Sequence, residues 1–219
     1  MNTDILVDQV TRLILKELQE TNVCRAVPVE QGMIPIGISN RHVHISKEHM
    51  DILFGSGAVQ TKDRDLSQPG QFVAEQEVTL VGPKGVIQNV RILGPERIQT
   101  QVEISISDCF IFGIQPPIRD SGDLEGSAGI TLVGPKGSVT LNEGCIIAAR
   151  HIHMSPADAE YFKVKHGDRV TVSVPGMRGV VFAEVLVRVN PNYLLEMHLD
   201  RDEANAASLK NGDLVALVR

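Results

Sequence analysis

Val78-Thr79-Leu80-Val81-Gly82-Pro83-Lys84-Gly85 returns almost unchanged as Ile130-Thr131-Leu132-Val133-Gly134-Pro135-Lys136-Gly137. Each copy is a β-branched, apolar run entering a turn with proline at its second position and glycine at its fourth, which reads as a strand and a hairpin. The surrounding chain has the same texture. From Ile34 onward, short runs rich in Val and Ile are broken by Gly, Pro and Asp, a pattern that predicts a mainly β protein, barrel or sandwich, with an internal repeat. The Gly-Pro-Lys-Gly turns lack the G-x-x-x-x-G-K-[ST] spacing and following helix of a phosphate loop, so they are read as ordinary hairpin turns.

A second repeat lies outside the first. Asn40-Arg41-His42-Val43-His44-Ile45-Ser46 comes back as Ala149-Arg150-His151-Ile152-His153-Met154-Ser155. Both copies lead into short helices: Ser46 can cap Lys47–Phe54, closed by Gly55, and Ser155 can cap 156–162, with Pro156 at the first helical position and Asp158 near the third. The second unit continues through strands Arg169–Val174 and Val180–Val189 and Pro191 to Glu196-Met197-His198-Leu199. The first continues through Glu77–Val81, Val86–Leu93 and Pro95 to Gln101-Val102-Glu103-Ile104. Laid over one another, the units set Glu103 opposite His198.

Upstream, Leu6, Val10, Leu13, Ile14 and Leu18 fall at helical spacing within residues 3–20. They predict an amphipathic helix that either packs on this chain or a second copy, leaving a homo-oligomer open, or docks on another protein. Residues 21–33 read as a linker. The chain has 219 residues, 42 % of them hydrophobic, enough for a real core. No apolar run approaches the roughly 18–20 residues of a bilayer span and no secretion signal is evident, so the expectation is a cytoplasmic protein without a membrane partner. A net charge of −6 without a basic block argues against nucleic acid. Cys24, Cys109 and Cys145 form neither a disulfide framework nor a Cys-x-x-Cys zinc knuckle.

The chemistry rests on histidine. Five of the seven, His42, His44, His151, His153 and His198, fall at matching places in the two units, whereas His49 and His166 do not. Residues two apart on a strand share a face, roughly 6–7 Å along the chain, so each His-x-His can offer two imidazoles to one cation. The repeat supplies third ligands, Glu103 for one pair and His198 for the other. Sets of three imidazole or carboxylate ligands suit zinc with an exchangeable fourth position. One isolated pair would be read as half-buried histidines bonded to backbone; two copies with aligned third ligands reverse that. The carboxylate would leave the first site lower in net charge than the second.

RHVHIS, VTLVGPKG, RILGPER, ARHIHMS and MHLDRDEANA stand in an order that resembles the PduL-type phosphate propanoyltransferases, from Ile34 to Arg219. The resemblance implies two small β-barrels related by internal duplication, with short capping helices, residues 34–40 joining 149–219 in one barrel and 41–148 forming the other. It implies two zinc ions between them on His42, His44 and Glu103 and on His151, His153 and His198. It also implies a phosphate-binding arginine, matched by Arg97, with Arg188, Gln101 and Ser121 as further candidates for binding substrate. Arg41 and Arg150, on the opposite face of the histidine strands, are assigned to packing.

The implied reaction takes a short acyl-CoA, propanoyl or acetyl, and phosphate to acyl phosphate and coenzyme A, reversibly. Direct attack by phosphate on the thioester fits a sequence without a nucleophile elbow. Some relatives work inside bacterial microcompartments, as in propanediol degradation, and carry an N-terminal encapsulation helix that residues 3–20 resemble; shell or core proteins are then partners. Two alternatives stay open: a binuclear metallohydrolase, and a metal-pinned microcompartment component without activity.

Overall fold

The computed structural model describes residues 32–218. The helix read over residues 3–20 lies outside them, as does the linker up to residue 31. The first strand, β1 (Met33–Ser39), begins at the linker's last residue.

The next segment contains β2 (His42–Ser46), α1 (Lys47–Phe54), β3 (Lys62–Asp65), β4 (Phe72–Val81), β5 (Val86–Arg97) and β6 (Gln101–Glu103). It continues with α2 (Ile106–Phe112), β7 (Ile118–Arg119), β8 (Ala128–Val133) and β9 (Ser138–Ala148). The remainder comprises β10 (His151–Met154), α3 (Pro156–Phe162), β11 (Arg169–Val174), β12 (Val180–Val189), β13 (Glu196–Asp200), α4 (Arg201–Ala206) and β14 (Leu214–Leu217). The protein is mainly β, as its texture predicts.

Two six-stranded rings close. One runs β1-β13-β10-β12-β11-β14. The other runs β4-β5-β2-β6-β9-β8 and returns to β4, with β3 and β7 added at its margins. The pairings match strand for strand: β2 is parallel to β5 and antiparallel to β6 as β10 is to β12 and β13. Even a left-handed residue recurs, Asn89 in β5 and Glu184 in β12, both at φ 56°. The strands that precede the histidine strands are exchanged: β1 runs into β2 but pairs with β13 and β14, while β9 runs toward β10 but pairs with β6 and β8.

The repeated Val-Thr-Leu-Val words mark a finer duplication inside one barrel. They lie antiparallel to each other, Leu80 facing Leu132. Their Gly-Pro-Lys-Gly turns close hairpins, Gly82 N–H to Gly85 O and Gly134 N–H to Gly137 O, both 2.9 Å. Each turn also caps a helix, since Lys84 N–H donates to Phe112 O and Lys136 N–H to Leu53 O, both 3.0 Å. Glycine is required there: a Cβ on Gly82 would meet Phe112 O at 2.6 Å, and one on Gly134 would meet Leu53 O at 2.5 Å.

Two strands are longer than their patterns predict. β4 begins at Phe72 rather than Glu77, and β5 runs past Leu93 to Arg97. Pro95 does not end β5 because the β2–β5 register shifts between His44 and Ser46, so two residues of β2 match four of β5 and the proline sits in the bulge.

Strand alternation builds two cores. Val43 and Ile45 point into one barrel with Leu80, Ile92, Val102 and Leu132; Ile152 and Met154 point into the other with Ile36, Val172, Val187 and Met197. The histidines between them therefore face outward, yet His42, His44 and His153 are buried. Among the described residues no helix is long and apolar enough to cross a membrane.

Candidate metal and substrate site

Each histidine strand is pinned beside a partner whose register sets the third potential ligand. His42 faces Glu103 and His44 faces Gln101 across β2–β6; His151 faces His198 and His153 faces Glu196 across β10–β13. Two groups of potential ligands result, His42, His44 and Glu103, and His151, His153 and His198, with the ligand atoms of each group within 4.8 Å of one another.

Their orientation fits a cation. His42 and His151 both place Nδ1 on the backbone oxygen two residues earlier, Asn40 O at 2.8 Å and Ala149 O at 2.9 Å. That contact fixes the tautomer and turns Nε2 inward. His42 Nε2 lies 3.2 Å from His44 Nε2 and 3.4 Å from Glu103 Oε2. Both ring nitrogens of His153, and Nε2 of His198, are buried with no hydrogen-bond partner among the described residues. A buried unpaired nitrogen costs roughly 1–3 kcal/mol, so groups left this way need something to bind.

Protonation agrees. Burial, and then the charge of His42, hold the His44 pKa well below the usual imidazole value. Burial followed by His198 does the same at His151, and burial followed by His151 takes His153 down to about 2. Burial alone would raise Glu103, but His42, His44 and Arg97 outweigh it and keep it ionised. Neutral imidazoles and an anionic carboxylate are the ligating forms.

Arg97, Gln101 and Ser121 join the first group. Arg97 Nη2 donates to His44 Nε2 at 2.9 Å and Nη1 to Ser121 Oγ at 3.2 Å. Gln101 Nε2 donates to Glu103 Oε1 at 2.5 Å and to Ser121 Oγ at 2.8 Å. Arg188 stands in register with His153 and lines the same cavity as both groups and Arg97, a space of about 560 Å³. The duplication does not reproduce the arginines: by register, Leu93 occupies the place of Arg188.

The other singled-out residues serve structure. Arg41 Nη2 meets Asp108 Oδ1 at 2.6 Å and Arg150 Nε meets Glu203 Oε1 at 2.8 Å; each carboxylate also bonds the backbone N–H that opens its own helix, α2 or α4. His49 Nδ1 bonds Thr100 Oγ1, and His166 Nδ1 accepts from Val189 N–H.

Four side chains in the cavity escaped the sequence reading. Tyr193 stacks on His153 with centroids 4.1 Å apart. Glu196 Oε2 lies 2.9 Å from His198 Nε2. It is also held from the other barrel, by Ser67 Oγ at 2.5 Å and Gln68 Nε2 at 3.1 Å. Glu196 was discoverable, two residues before His198 and so on the same strand face. Nothing local marks Ser67 or Gln68.

Comparison with known proteins agrees along the chain. The family model for phosphate propanoyltransferase matches residues 35–210, a span that includes all six potential ligands and Arg97. This chain belongs to the phosphate propanoyltransferase family. A phosphate propanoyltransferase of Thermotoga maritima is 55 % identical over 190 residues, 86 % of this chain and 90 % of that protein. One from Rhodobacter capsulatus is 52 % identical over 202 residues, 92 % of this chain and 94 % of that protein. One from Lachnoclostridium phytofermentans is 47 % identical over 216 residues, covering 98 % and 99 %. As a phosphate propanoyltransferase family member, the chain is an acyltransferase.

Proposed function

We propose that this protein exchanges phosphate and coenzyme A on a short acyl group, propanoyl or acetyl, with two zinc ions held in its two ligand groups. The convergence of both groups and Arg97 on one cavity carries the reading. His42, His44 and Glu103 would hold one ion and His151, His153 and His198 the other. Bound there, the ions supply Lewis acidity toward the thioester carbonyl and the departing thiolate.

The remaining tasks fall to the chain. The Arg97 guanidinium offers a fork to two phosphate oxygens, and its contact with Ser121 fixes the fork's direction. Gln101 holds Ser121 and, through Gly122 N–H to its own Oε1 at 2.8 Å, the loop that carries it. Arg188 adds positive charge for an anionic substrate.

No acyl-enzyme is needed. Cys145 is buried in a barrel core and burial pushes its thiol up to about 12; burial also raises Cys109. A phosphate oxygen forms the new C–O bond, the C–S bond breaks, and the thiolate leaves as coenzyme A. The apolar spacing of residues 3–20 supports a further role in docking to microcompartment proteins; deleting them should release the enzyme without changing its turnover.

Thioester loss is the test. With the purified protein it should depend on added phosphate and yield acyl phosphate, and Arg97→Ala should raise the phosphate KM by about 10–100-fold. Free acid formed without phosphate would replace this reading with a metallohydrolase.

A further inference from the structure

Two equally long segments carry the chain to the strands that answer the histidines, Leu93 to Gln101 in one barrel and Arg188 to Glu196 in the other. Their ends are equivalent by register, since His44 stands beside Leu93 and Gln101 as His153 stands beside Arg188 and Glu196. Each segment returns one side chain to its own histidine. In the first it is Arg97, whose Nη2 donates to His44 Nε2 at 2.9 Å. In the second the residue at the same count, Asn192, is exposed, and the next one, Tyr193, stacks on His153 with centroids 4.1 Å apart and ring planes inclined by 29°. Ile98, at the count of Tyr193, is fully exposed. The duplicated frame therefore sets a guanidinium against one histidine pair and a phenol against the other.

The backbone under the phenol is fixed. Tyr193 N–H donates to Asn190 O at 3.0 Å. The next residue is gripped from the other barrel, where the buried Gln68 accepts Leu194 N–H at 3.2 Å and donates to Leu194 O at 3.1 Å. The stack on His153 holds the ring itself. Among the described residues the hydroxyl takes part in no hydrogen bond, although Tyr193 lines the cavity together with Arg97 and Arg188. Burial lowers the Arg97 pKa, and Glu103, Arg188 and Tyr193 are the groups near enough to act on it by charge. Phenol and guanidinium thus serve the same region of the cavity.

We infer that the Tyr193 hydroxyl donates a hydrogen bond to the phosphate that Arg97 holds, as a further substrate-contacting residue for the attacking anion. Phosphate has four oxygens. The Arg97 fork takes two, Tyr193 takes a third, and the fourth is left to form the bond to the acyl carbon. A phenol donates without adding charge beside Arg97 and Arg188. The inference rests on the phosphate-transfer reading above.

Tyr193→Phe tests it, because the stack stays and only the hydroxyl goes. In the zinc-loaded protein the change should raise the phosphate KM about tenfold or more, the weight of one hydrogen bond to an anion, and leave the propanoyl-CoA KM and the zinc content as they were. Calorimetric titration with inorganic phosphate should show the same loss of affinity without turnover. An unchanged phosphate KM overturns the inference, and if kcat alone falls the hydroxyl acts on the acyl group instead. Equal rises in both KM values, or zinc lost with the hydroxyl, also overturn it, since Tyr193 then serves only as a cavity wall or a support for His153. A parent protein without phosphate-dependent thioester loss overturns the phosphate-transfer reading itself.

Discussion

In the first barrel the strand that answers the histidine pair carries Gln101 and Glu103; in the second it carries Glu196 and His198. The backbone register is identical, and carboxylate and neutral or basic partner have traded places along it. Read by its three potential ligands alone, the second group carries no carboxylate and would give a bound cation the stronger Lewis acidity. With Glu196 2.9 Å from His198, that difference in charge is largely levelled. What still separates the groups is the company each keeps. Arg97 and Ser121 stand against the first, whereas Tyr193 and a loop from the other barrel stand against the second. Duplication set the frame, and the two groups differ in what surrounds them.

The hardest way to break the pairing is to remove one ligand from each group. His153→Ala and Glu103→Ala should each reduce kcat/KM by at least about 100-fold. Metal analysis should show one ion lost in each variant rather than both; simultaneous loss would make the groups one cooperative site.

Acid should act next. His153 is held neutral, its pKa taken from 6.5 to about 2. Between those limits the unfolded chain binds more protons than the folded one, so stability rises with pH there and is lost on acidification from about pH 6.5 downward. Thermal melts of chelator-stripped protein from pH 7.5 to pH 4 should fall steadily, and bound metal should protect until protons displace it.

The two arginine–carboxylate pairs give a smaller contrast. Asp108 is 1 % exposed, whereas the Glu203 side chain is 21 % exposed. Asp108→Ala should cost about 3 kcal/mol, since it strands Arg41 in a half-buried site and removes a capping contact, and Glu203→Ala about 1 kcal/mol. Urea denaturation separates the two. The smallest contrast lies in the hairpin turns. Gly82→Ala should cost about 1–3 kcal/mol by driving a methyl into Phe112, whereas Met177→Ser, in the fully exposed β11–β12 turn, should leave the unfolding free energy unchanged within about 0.5 kcal/mol.

What could be read in the sequence follows from what is local. Helices α1 and α3 end where Ser46, Gly55 and Ser155 say they should, because caps are short-range chemistry. Strands β11 and β12 likewise match their apolar runs. The two groups of potential ligands were visible because duplication printed them twice. β3, Lys-Asp-Arg-Asp and wholly exposed, carries no alternation to read. Glu196 was passed over because its neighbour His198 had already filled the third-ligand role. Ser67 and Gln68 reach Glu196 across more than a hundred residues, a distance at which no local pattern operates.

The exchange of β1 and β9 constrains how the protein is made. β1 leaves the ribosome ahead of every other described strand, yet its partners are Met197–Asp200 and Leu214–Ala216 near the far end. At about 5–20 residues per second, Ile34 and Ile36 wait on the order of ten to forty seconds for neighbours. The intervening barrel can close around its own strands during that interval, while the barrel that holds His151, His153 and His198 cannot. The second group of potential ligands therefore assembles only after the intervening barrel has been made, and the nascent chain carries an unpaired strand edge until β13 and β14 arrive.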